Sequence, residues 1–403
     1  MIVERYVLFT RIPLYRSADN RIWTDRLWQK DLVEHQRYIA NFRLCCPLLP
    51  HSPDIPDLVE VRELGLQNIF PLRLDRGWGS VAFNVIPNFL IVLRACRWAE
   101  ITHAGAAGWA FPLSYYILLL RPFLPFKAVE VIESTFWMKP RSGKVSVRRH
   151  LSHWINTFLV KRCVHAADAR IFTQDWYRQF FLGSHDAAHV SPAVWIDGDI
   201  MRPEADLLPA QQQRSGPLRL LFPARLIADK GVETVLEAIS MAERMRAGVP
   251  GASPFIVDII GSGPLEDTCK AFAAERPDGS VRFLPPVPYG EAFFALLRSY
   301  DAVIVANRKE EQPRIVFDAF SQGVPCIATR TSGIREVVRE GENCVMFDVD
   351  DVAGLARILD GGEGGPERFR ELGLNALRSV SGSTHRAMHE RREVFLRETL
   401  HLK

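Results

Sequence analysis

The sequence lacks the cysteine patterns of disulfide-rich and metal-binding proteins. Its 403 residues include seven cysteines, which form no C-x-x-C pair and show no metal-ligand spacing. The odd number, and the adjacency of Cys45 and Cys46, argue against a disulfide framework. We therefore expect reduced thiols in a cytoplasmic protein. The net charge of +3 is too small to predict binding to nucleic acid.

Long apolar runs are also scarce. Residues 1–10 contain too short an apolar run for a signal peptide. Residues 104–120 carry no charge, but they fall short of the ~20 residues that a membrane span needs. Because Pro112 also interrupts this segment, we expect a buried core helix there rather than a transmembrane helix.

The common glycine-rich phosphate motifs are incomplete. Gly261-Ser262-Gly263 begins like a dinucleotide-binding fingerprint, but Glu266 stands where its third glycine would be. No Gly-Lys-Ser/Thr follows, so a P-loop is not predicted either. The sequence therefore indicates neither an NAD-binding protein nor a P-loop NTPase.

The second half of the sequence alternates short apolar runs with amphipathic stretches. Such repetition predicts a doubly wound parallel sheet, whose ligands bind outside the carboxyl ends of the strands. The predicted strands are 218–222, 254–260, 281–284, 302–305, 324–328 and 344–347, and the predicted helices include 232–245, 291–300, 314–322 and 334–339.

The first half predicts a second α/β domain from weaker patterns. The predicted elements are a helix over 25–42, a helix and strand within 91–103, a strand over 128–132, a basic amphipathic helix over 148–164 and a strand over 169–173. Residues 201–217, rich in proline and glutamine, are typical of a linker between domains.

Two stretches of the second half carry residues suited to a sugar diphosphate. Pro313 and Gly323 frame a short predicted helix, whose open N-terminus suits phosphate. Glu310 lies just before this helix and Asp318 inside it, and carboxylates can bind sugar hydroxyls. The alternative is a solvated helix start.

The second stretch is the loop after the strand 218–222. Arg225 and Lys230 would leave the carboxyl end of that strand, where two cations can neutralise a departing diphosphate. Alternatively, both are solvated loop cations.

Four segments resemble, in order, motifs of family 4 glycosyltransferases. Residues 223–231 are similar to G-R-L-x-x-x-K-G, with Ala224 for the first glycine, and 261–264 are similar to G-x-G-P. Residues 281–287 match V-x-F-x-G-x-V except at Pro285. Residues 310–318 resemble E-x7-E, with Asp318 for the second glutamate and an altered loop between the acids.

This resemblance implies the GT-B fold, an α/β fold in which two Rossmann-like doubly wound domains face each other across a cleft. We expect an N-terminal acceptor-binding domain over 1–205 and a nucleotide-sugar-binding domain over 206–380. A C-terminal helix in 381–403 is expected to pack back toward the first domain.

The resemblance also implies the reaction. We expect a retaining hexosyltransferase that moves a sugar from a nucleotide diphosphate sugar to a glycan or lipid-linked acceptor, in polysaccharide or glycoconjugate biosynthesis. Asp348-Val349-Asp350 comes late, before a predicted helix, and is typical of a helix N-cap rather than of a metal-binding D-x-D cluster. We therefore expect no metal and no cofactor besides the donor substrate. The alternatives are a nucleotide-sugar epimerase and an inactive nucleotide-sugar-binding module.

The residue roles follow from the matched motifs. Glu310 would hold sugar hydroxyls, Asp318 the ribose, and the Arg225/Lys230 pair the diphosphate. His103 resembles the family's strand-end histidine, although such a residue can equally be structural. The expected catalytic residues are His103, Arg225, Lys230 and Glu310, and the expected donor-binding residues are Gly261, Val287, Arg314, Ile315 and Asp318.

The segment 139–170 is strongly basic. Its eight lysines and arginines stand against Asp168 alone, a net charge of +7, and Trp154 and Phe158 lie among them. This combination suits an anionic acceptor or peripheral contact with the inner face of an anionic membrane. The alternative is a solvated face over a core stripe. The residues expected on this acceptor or membrane face are Glu133, Arg148, Arg149, Trp154, Lys161 and Arg162.

Overall fold

The structure is a computed structural model that describes residues 1–402 except 53–54, 56, 107–110, 136, 139–145, 184–187, 208–215, 247–254 and 363–364. It divides into two compact units. The described residues of unit 1 lie within 1–138, 146–193 and 386–402, and those of unit 2 lie within 194–385.

The chain joins unit 2 earlier than the expected boundary at residue 205. The backbone N–H of Arg202 donates to the Ser321 carbonyl at 2.9 Å, and Leu207 is buried. Part of the predicted linker is therefore packed on unit 2, while its residues 208–215 lie outside the described residues.

The described residues of unit 1 form a ten-stranded sheet. The strands are β1 (Ile2–Phe9), β2 (Leu14–Arg16), β3 (Ile22–Asp25), β4 (Ile39–Pro50), β5 (Leu58–Glu60), β6 (Ile69–Leu72), β7 (Ile101–Gly105), β8 (Lys127–Ile132), β9 (Ala169–Phe172) and β10 (His189–Val190). Their order is β10-β9-β8-β7-β1-β4-β2-β3-β5, with β6 also on β4. The part from β10 to β4 is parallel.

Unit 2 contains a six-stranded, entirely parallel sheet. Its strands are β11 (Leu218–Pro223), β12 (Phe255–Ile260), β13 (Val281–Leu284), β14 (Ala302–Val305), β15 (Cys326–Thr329) and β16 (Cys344–Phe347). The order is β13-β12-β11-β14-β15-β16, so the chain direction across the sheet reverses between β11 and β14. Ligands of doubly wound sheets bind at the carboxyl ends beside such a reversal.

Helices cover both sheets. Unit 1 begins with α1 (Arg26–Tyr38), α2 (Trp78–Trp98), α3 (Leu113–Leu120), α4 (Val147–Ala166) and α5 (Asp175–Leu182). Unit 2 adds α6 (Val232–Arg246), α7 (Glu266–Ala274), α8 (Glu291–Leu297), α9 (Arg314–Ser321), α10 (Ser332–Arg335), α11 (Val352–Leu359) and α12 (Pro366–Ser379), and α13 (His385–Thr399) follows.

The period-two pattern of β1 separates the two cores of unit 1. Tyr6 and Leu8 face a cluster that includes Leu32 of α1 and Leu396 of α13. Val7 and Phe9 face the other way, into a cluster that includes Val92 of α2. The C-terminal helix α13 therefore packs within unit 1, on the sheet face opposite α2.

Several sequence predictions need correction in unit 1. The predicted helix over 25–42 stops at Tyr38, because the next residues form β4, which pairs with β1 in the middle of the sheet. In the segment 104–120, only α3 is a described helix, since Gly105 ends β7 and residues 107–110 lie outside the described residues. In unit 2, the predicted helix over 334–339 is instead α10, which spans Ser332–Arg335 and is one turn long.

A carboxylate is buried on β8. Glu130 is 6% exposed, and the Ser114 hydroxyl of α3 donates to its Oε1 at 2.9 Å. Burial raises the pKa of Glu130 to about 8, so its side chain is largely protonated at neutral pH. The seven cysteines are likewise buried, and none is paired with another.

Candidate functional site

A cavity of about 680 Å³ opens at the carboxyl edge of the unit 2 sheet. Its wall includes the residues that follow β11, β12 and β14 and the start of α9, which is the edge where the strand order reverses. Seven predicted site residues line it: Arg225, Lys230, Gly261, Val287, Arg314, Ile315 and Asp318.

Two glycines allow the loops around this cavity to stack closely. Gly231 has φ +67°, and a Cβ there would lie 2.2 Å from the Ala306 carbonyl oxygen. Gly261 has φ +151°, and a Cβ there would lie 1.8 Å from the Ala224 carbonyl oxygen. Only glycine fits at such approaches. The close stacking holds the loop that carries Lys230 against the residues after β14.

Lys230 is paired with a carboxylate inside the cavity. Its Nζ contacts Glu311 Oε1, and the Asn307 amide donates to the same oxygen at 3.3 Å. The lysine is 14% exposed and the glutamate 31% exposed. A cation and an acid are therefore held side by side, which suits a ligand with both phosphate and hydroxyl groups.

The structure places Glu310 differently from the prediction. It does not line this cavity, and its Oε2 accepts a hydrogen bond from the backbone N–H of Ser332, the first residue of α10. The chain turns between the two adjacent glutamates, so they face different surroundings. The resemblance to the E-x7-E motif points to Glu310, whereas the acid beside Lys230 is Glu311.

The start of α9 faces the cavity. Pro313 is the cap, and Arg314 and Ile315 are the first residues of the helix, so their amides have no partner within it. Asp318 is 5% exposed and accepts a hydrogen bond from the Tyr289 hydroxyl at 2.9 Å. Burial, followed by the charge of Asp318, raises the pKa of Tyr289, which therefore stays protonated as a donor.

Aromatic and apolar side chains form another wall of the cavity. Tyr289 and Phe293 have ring centroids 5.8 Å apart, and Pro286 and Val287 lie beside them. A flat apolar wall of this kind suits a nucleoside base. Sequence reasoning missed these two aromatic residues because they lie beyond the matched motif, although an aromatic pair around the start of α8, with Phe293 inside the helix, was a visible signal.

His103 belongs to the buried core of unit 1. It is 4% exposed, its Nδ1 lies 2.7 Å from the Tyr6 hydroxyl, and its ring centroid is 5.8 Å from that of His35. Burial and then the proximity of His35 lower its pKa well below the usual range. The expected catalytic position at a strand end is therefore corrected, because the ring is enclosed between the sheet and its helices.

The same core contains a group of three side chains that could in principle bind a metal ion. Asp31, His35 and His389 each offer an atom within 4.8 Å of the others. Both histidines are within hydrogen-bond distance of Asp31. His389 Nε2 lies 3.1 Å from Asp31 Oδ1, and His35 Nδ1 lies 2.9 Å from the Asp31 carbonyl oxygen. Burial and nearby charges, including Arg392, lower the pKa of His389 to about 3. The same arginine would repel a metal cation, so the cluster fits a hydrogen-bonded core better than a metal site.

The predicted acceptor or membrane residues lie on unit 1. Glu133 is exposed directly after β8, while Arg148, Lys161 and Arg162 lie on α4. Arg149 also lies on α4, but its side chain lies outside the described residues. Trp154 is 67% exposed and stacks on Phe158 with ring centroids 6.1 Å apart. These two side chains are therefore exposed, and the buried stripe of α4 is formed by other residues, among them Val160 and Val164.

Comparison with known proteins relates this site to one family. Residues 217–360 match the family model of glycosyl transferases group 1. The glycogen synthase of Mycobacterium tuberculosis is 31% identical over 148 residues, which cover 36% of this chain and 34% of that protein. The lipopolysaccharide core biosynthesis glycosyltransferase LpsE of Rhizobium meliloti is 26% identical over 137 residues, covering 34% and 36%. These matches span about a third of each relative.

Solved structures resemble the whole chain. The sucrose-phosphate synthase of Thermosynechococcus elongatus superposes with a TM-score of 0.69 at 16% identity and covers 100% of both chains. HepE of Anabaena, in complex with UDP and glucose, superposes with a TM-score of 0.64 at 14% identity and covers 99% of each. The expected fold, α/β GT-B with two Rossmann-like units, is confirmed, as is the resemblance to family 4 glycosyltransferases over the matched segment.

Proposed function

We propose that this protein is a glycosyltransferase that moves a sugar from a nucleotide diphosphate sugar to an acceptor. The observation that carries the proposal is the cavity of unit 2. It combines two basic side chains, the free amides of a helix start and an aromatic wall, and it lies within the segment 217–360 that matches the glycosyltransferase model. These are the groups that a diphosphate, a sugar and a base would need.

Each part of the donor has a complementary part of the cavity. The base lies against Tyr289 and Phe293, and Asp318 accepts hydrogen bonds from the ribose. The diphosphate contacts Arg225, Lys230 and the α9 amides. Glu311, rather than Glu310, accepts hydrogen bonds from the sugar hydroxyls, since its carboxylate lies beside Lys230.

The reaction breaks the bond between the anomeric carbon and the diphosphate oxygen, which keeps the electron pair. A hydroxyl oxygen of the acceptor forms the new bond, and its proton passes to the departing phosphate. Arg225 and Lys230 stabilise the developing charge on the diphosphate, as preorganised cations do. We propose that transfer proceeds without a metal and with retention at the anomeric carbon.

We propose a glycan or a lipid-linked glycan as the acceptor, in polysaccharide or glycoconjugate biosynthesis. The name of LpsE refers to lipopolysaccharide core biosynthesis, which supports a surface glycoconjugate. Glu133 and the basic residues of α4 are candidates for contact with such an acceptor. The proposed location is the cytoplasm, at the inner face of the membrane.

A nucleotide-sugar screen tests the donor assignment. Wild-type protein and Lys230→Ala are heated with UDP-, GDP- and ADP-sugars, and the donor should raise the melting temperature of the wild type more than that of the variant. Magnetic resonance of the transfer product should then show the donor's anomeric configuration.

Failure of every nucleotide sugar to stabilise the wild type would refute the proposal. Conversion of the donor sugar without acceptor would favour an epimerase, and binding without turnover would favour an inactive module.

A further inference from the structure

Three consecutive helices of unit 1 expose large apolar side chains. On α2, Phe83 is 85% exposed, Ile86 69% and Leu90 50%, and their spacing places them on one stripe. Helix α4 exposes a second stripe, and Leu119 of α3 and Phe123 after α3 are exposed between the two helices. The exposed residues of the α4 stripe are Val147, Leu151, Trp154, Ile155 and Phe158.

These helices lie side by side on one face of the sheet. The Tyr116 hydroxyl of α3 donates to the Val85 carbonyl of α2 at 3.3 Å. The neighbouring Tyr115 hydroxyl donates to Asn156 Oδ1 of α4, also at 3.3 Å. Helix α3 therefore lies between α2 and α4, and the exposed stripes belong to one outward surface, which we call the α2–α4 face. An apolar surface of this kind usually marks an interaction site.

The charge of the α2–α4 face has one sign. Residues 78–98, 113–123 and 147–166 contain no aspartate or glutamate, although the chain has 47 acidic residues against 50 basic ones. Arg94 and Arg97 are exposed and continue the α2 stripe. The seven basic residues of these segments are Arg94, Arg97, Arg121, Arg148, Arg149, Lys161 and Arg162.

We propose that the α2–α4 face docks on the surface of an anionic lipid bilayer, with the stripes of α2 and α4 inserted among the lipid headgroups. Apolar stripes that are rimmed by arginine and lysine and lack acids match the chemistry of such a surface. Arg121 is paired with Asp168 at 2.7 Å, whereas Arg94, Arg97, Arg148 and Arg162 are exposed. A second copy of this chain fits less well, because a two-fold interface would bring these exposed positive charges together. The inference names the partner of unit 1 and does not rest on sugar transfer by unit 2.

Helix α2 lies on this surface rather than crossing it. By length and composition, Gly79–Trp98 is the one described helix that could span a membrane. Its inner side is nevertheless fixed in the core, where Val92 and Ala95 are fully buried. Asn88, also fully buried, bonds both the N–H and the carbonyl of Arg73. A spanning position would pull α2 from the sheet on which it packs, whereas an interfacial position uses only its exposed stripe.

Vesicle co-sedimentation of the full chain tests this inference. We expect the protein to pellet with phosphatidylglycerol-containing vesicles at low salt, to be released at high salt, and to bind weakly to pure phosphatidylcholine. Neutralising Arg94 and Arg162 to glutamine should weaken binding by roughly 10- to 30-fold. The matched control is Arg391→Gln, since Arg391 is exposed on α13, on the opposite sheet face, and its loss should leave binding nearly unchanged.

A second pair of variants distinguishes insertion of the apolar stripes into the bilayer from attraction between the basic residues and anionic lipids. Phe83→Ser with Ile86→Ser should reduce binding at least as strongly, whereas Val394→Ser, at an exposed site of α13, should not. Nucleotide binding and the far-ultraviolet spectrum should be unchanged in all variants, because the substitutions are exposed. Equal pelleting with neutral and anionic vesicles, or wild-type binding of the α2 variant, would overturn the inference. So would a concentration-dependent dimer that the α2 variant abolishes, since a second copy would then cover the face.

Discussion

Two adjacent glutamates, Glu310 and Glu311, should respond differently to the same substitution. Glutamine keeps the length of either side chain but removes its charge. Glu311 lies beside Lys230 in the cavity of unit 2, whereas Glu310 accepts a hydrogen bond from the N–H of Ser332 at the start of α10. We therefore predict a functional defect for Glu311→Gln and a stability defect for Glu310→Gln.

The size of the Glu311→Gln effect follows from its position. Loss of the charged acceptor for the sugar hydroxyls should lower turnover by about 100-fold, as removal of one preorganised group commonly does. Binding of the free nucleoside diphosphate should instead tighten, because Lys230 no longer has a competing carboxylate. The pair is partly exposed, so its interaction is about 1 kcal/mol, and the gain in affinity should be about fivefold.

Glu310→Gln should weaken the fold and leave the cavity intact. Loss of a charge-assisted hydrogen bond to a helix-start amide typically costs about 1–2 kcal/mol. Urea denaturation, calorimetry with the nucleoside diphosphate and transfer rates on both variants measure the three quantities. If Glu310→Gln abolishes turnover while Glu311→Gln keeps it, the assignment of the two acids is reversed and our reading of the cavity is refuted.

Four further results are expected. Lys230→Ala and Arg225→Ala should each lower turnover by about 100-fold with an unchanged melting curve, and wild-type rates would remove them from the site. Transfer should persist in excess EDTA, and its loss with recovery by magnesium or manganese would show that a metal acts at the diphosphate. Asp318→Asn should weaken nucleotide affinity more than Tyr289→Phe does, by calorimetry, since the tyrosine hydroxyl acts only through that carboxylate and phenylalanine keeps the ring. The folded-state pKa of Glu130 is raised from 4.5 to about 8. The wild type should therefore lose about 3 kcal/mol of unfolding free energy between pH 5 and pH 8 that Glu130→Gln keeps, and parallel pH curves would contradict this.

The fold of unit 2 could be predicted from the sequence because its strands are mostly apolar runs between turns. A fully buried parallel strand such as β14 or β16 has no polar side to blur the pattern. In unit 1 the pattern was weaker. The strand β4 follows α1 without a turn residue, so its first residues continued the helical pattern of α1 and were assigned to it.

The residues around the cavity of unit 2 could be predicted where a motif fixes the backbone, as at Gly231 and Gly261, whose close approaches exclude any side chain. Side-chain direction was not predictable. Which of two neighbouring acids faces Lys230 depends on how the chain turns before α9, and spacing does not encode that turn. His103 was misplaced for a similar reason, because a strand-end motif does not show which sheet face a side chain takes.

One measurement tests the central claim most directly, namely that unit 2 uses a nucleotide diphosphate sugar as donor for transfer. The protein is incubated with the labelled donor identified by thermal shift and with membranes or glycan extract as acceptor source, and free nucleoside diphosphate and labelled glycan are quantified together. We predict that the two appear in equal amounts with the wild type and at about one hundredth of that rate with Lys230→Ala. Donor binding without release of nucleoside diphosphate, or equal rates in the two proteins, would contradict the claim.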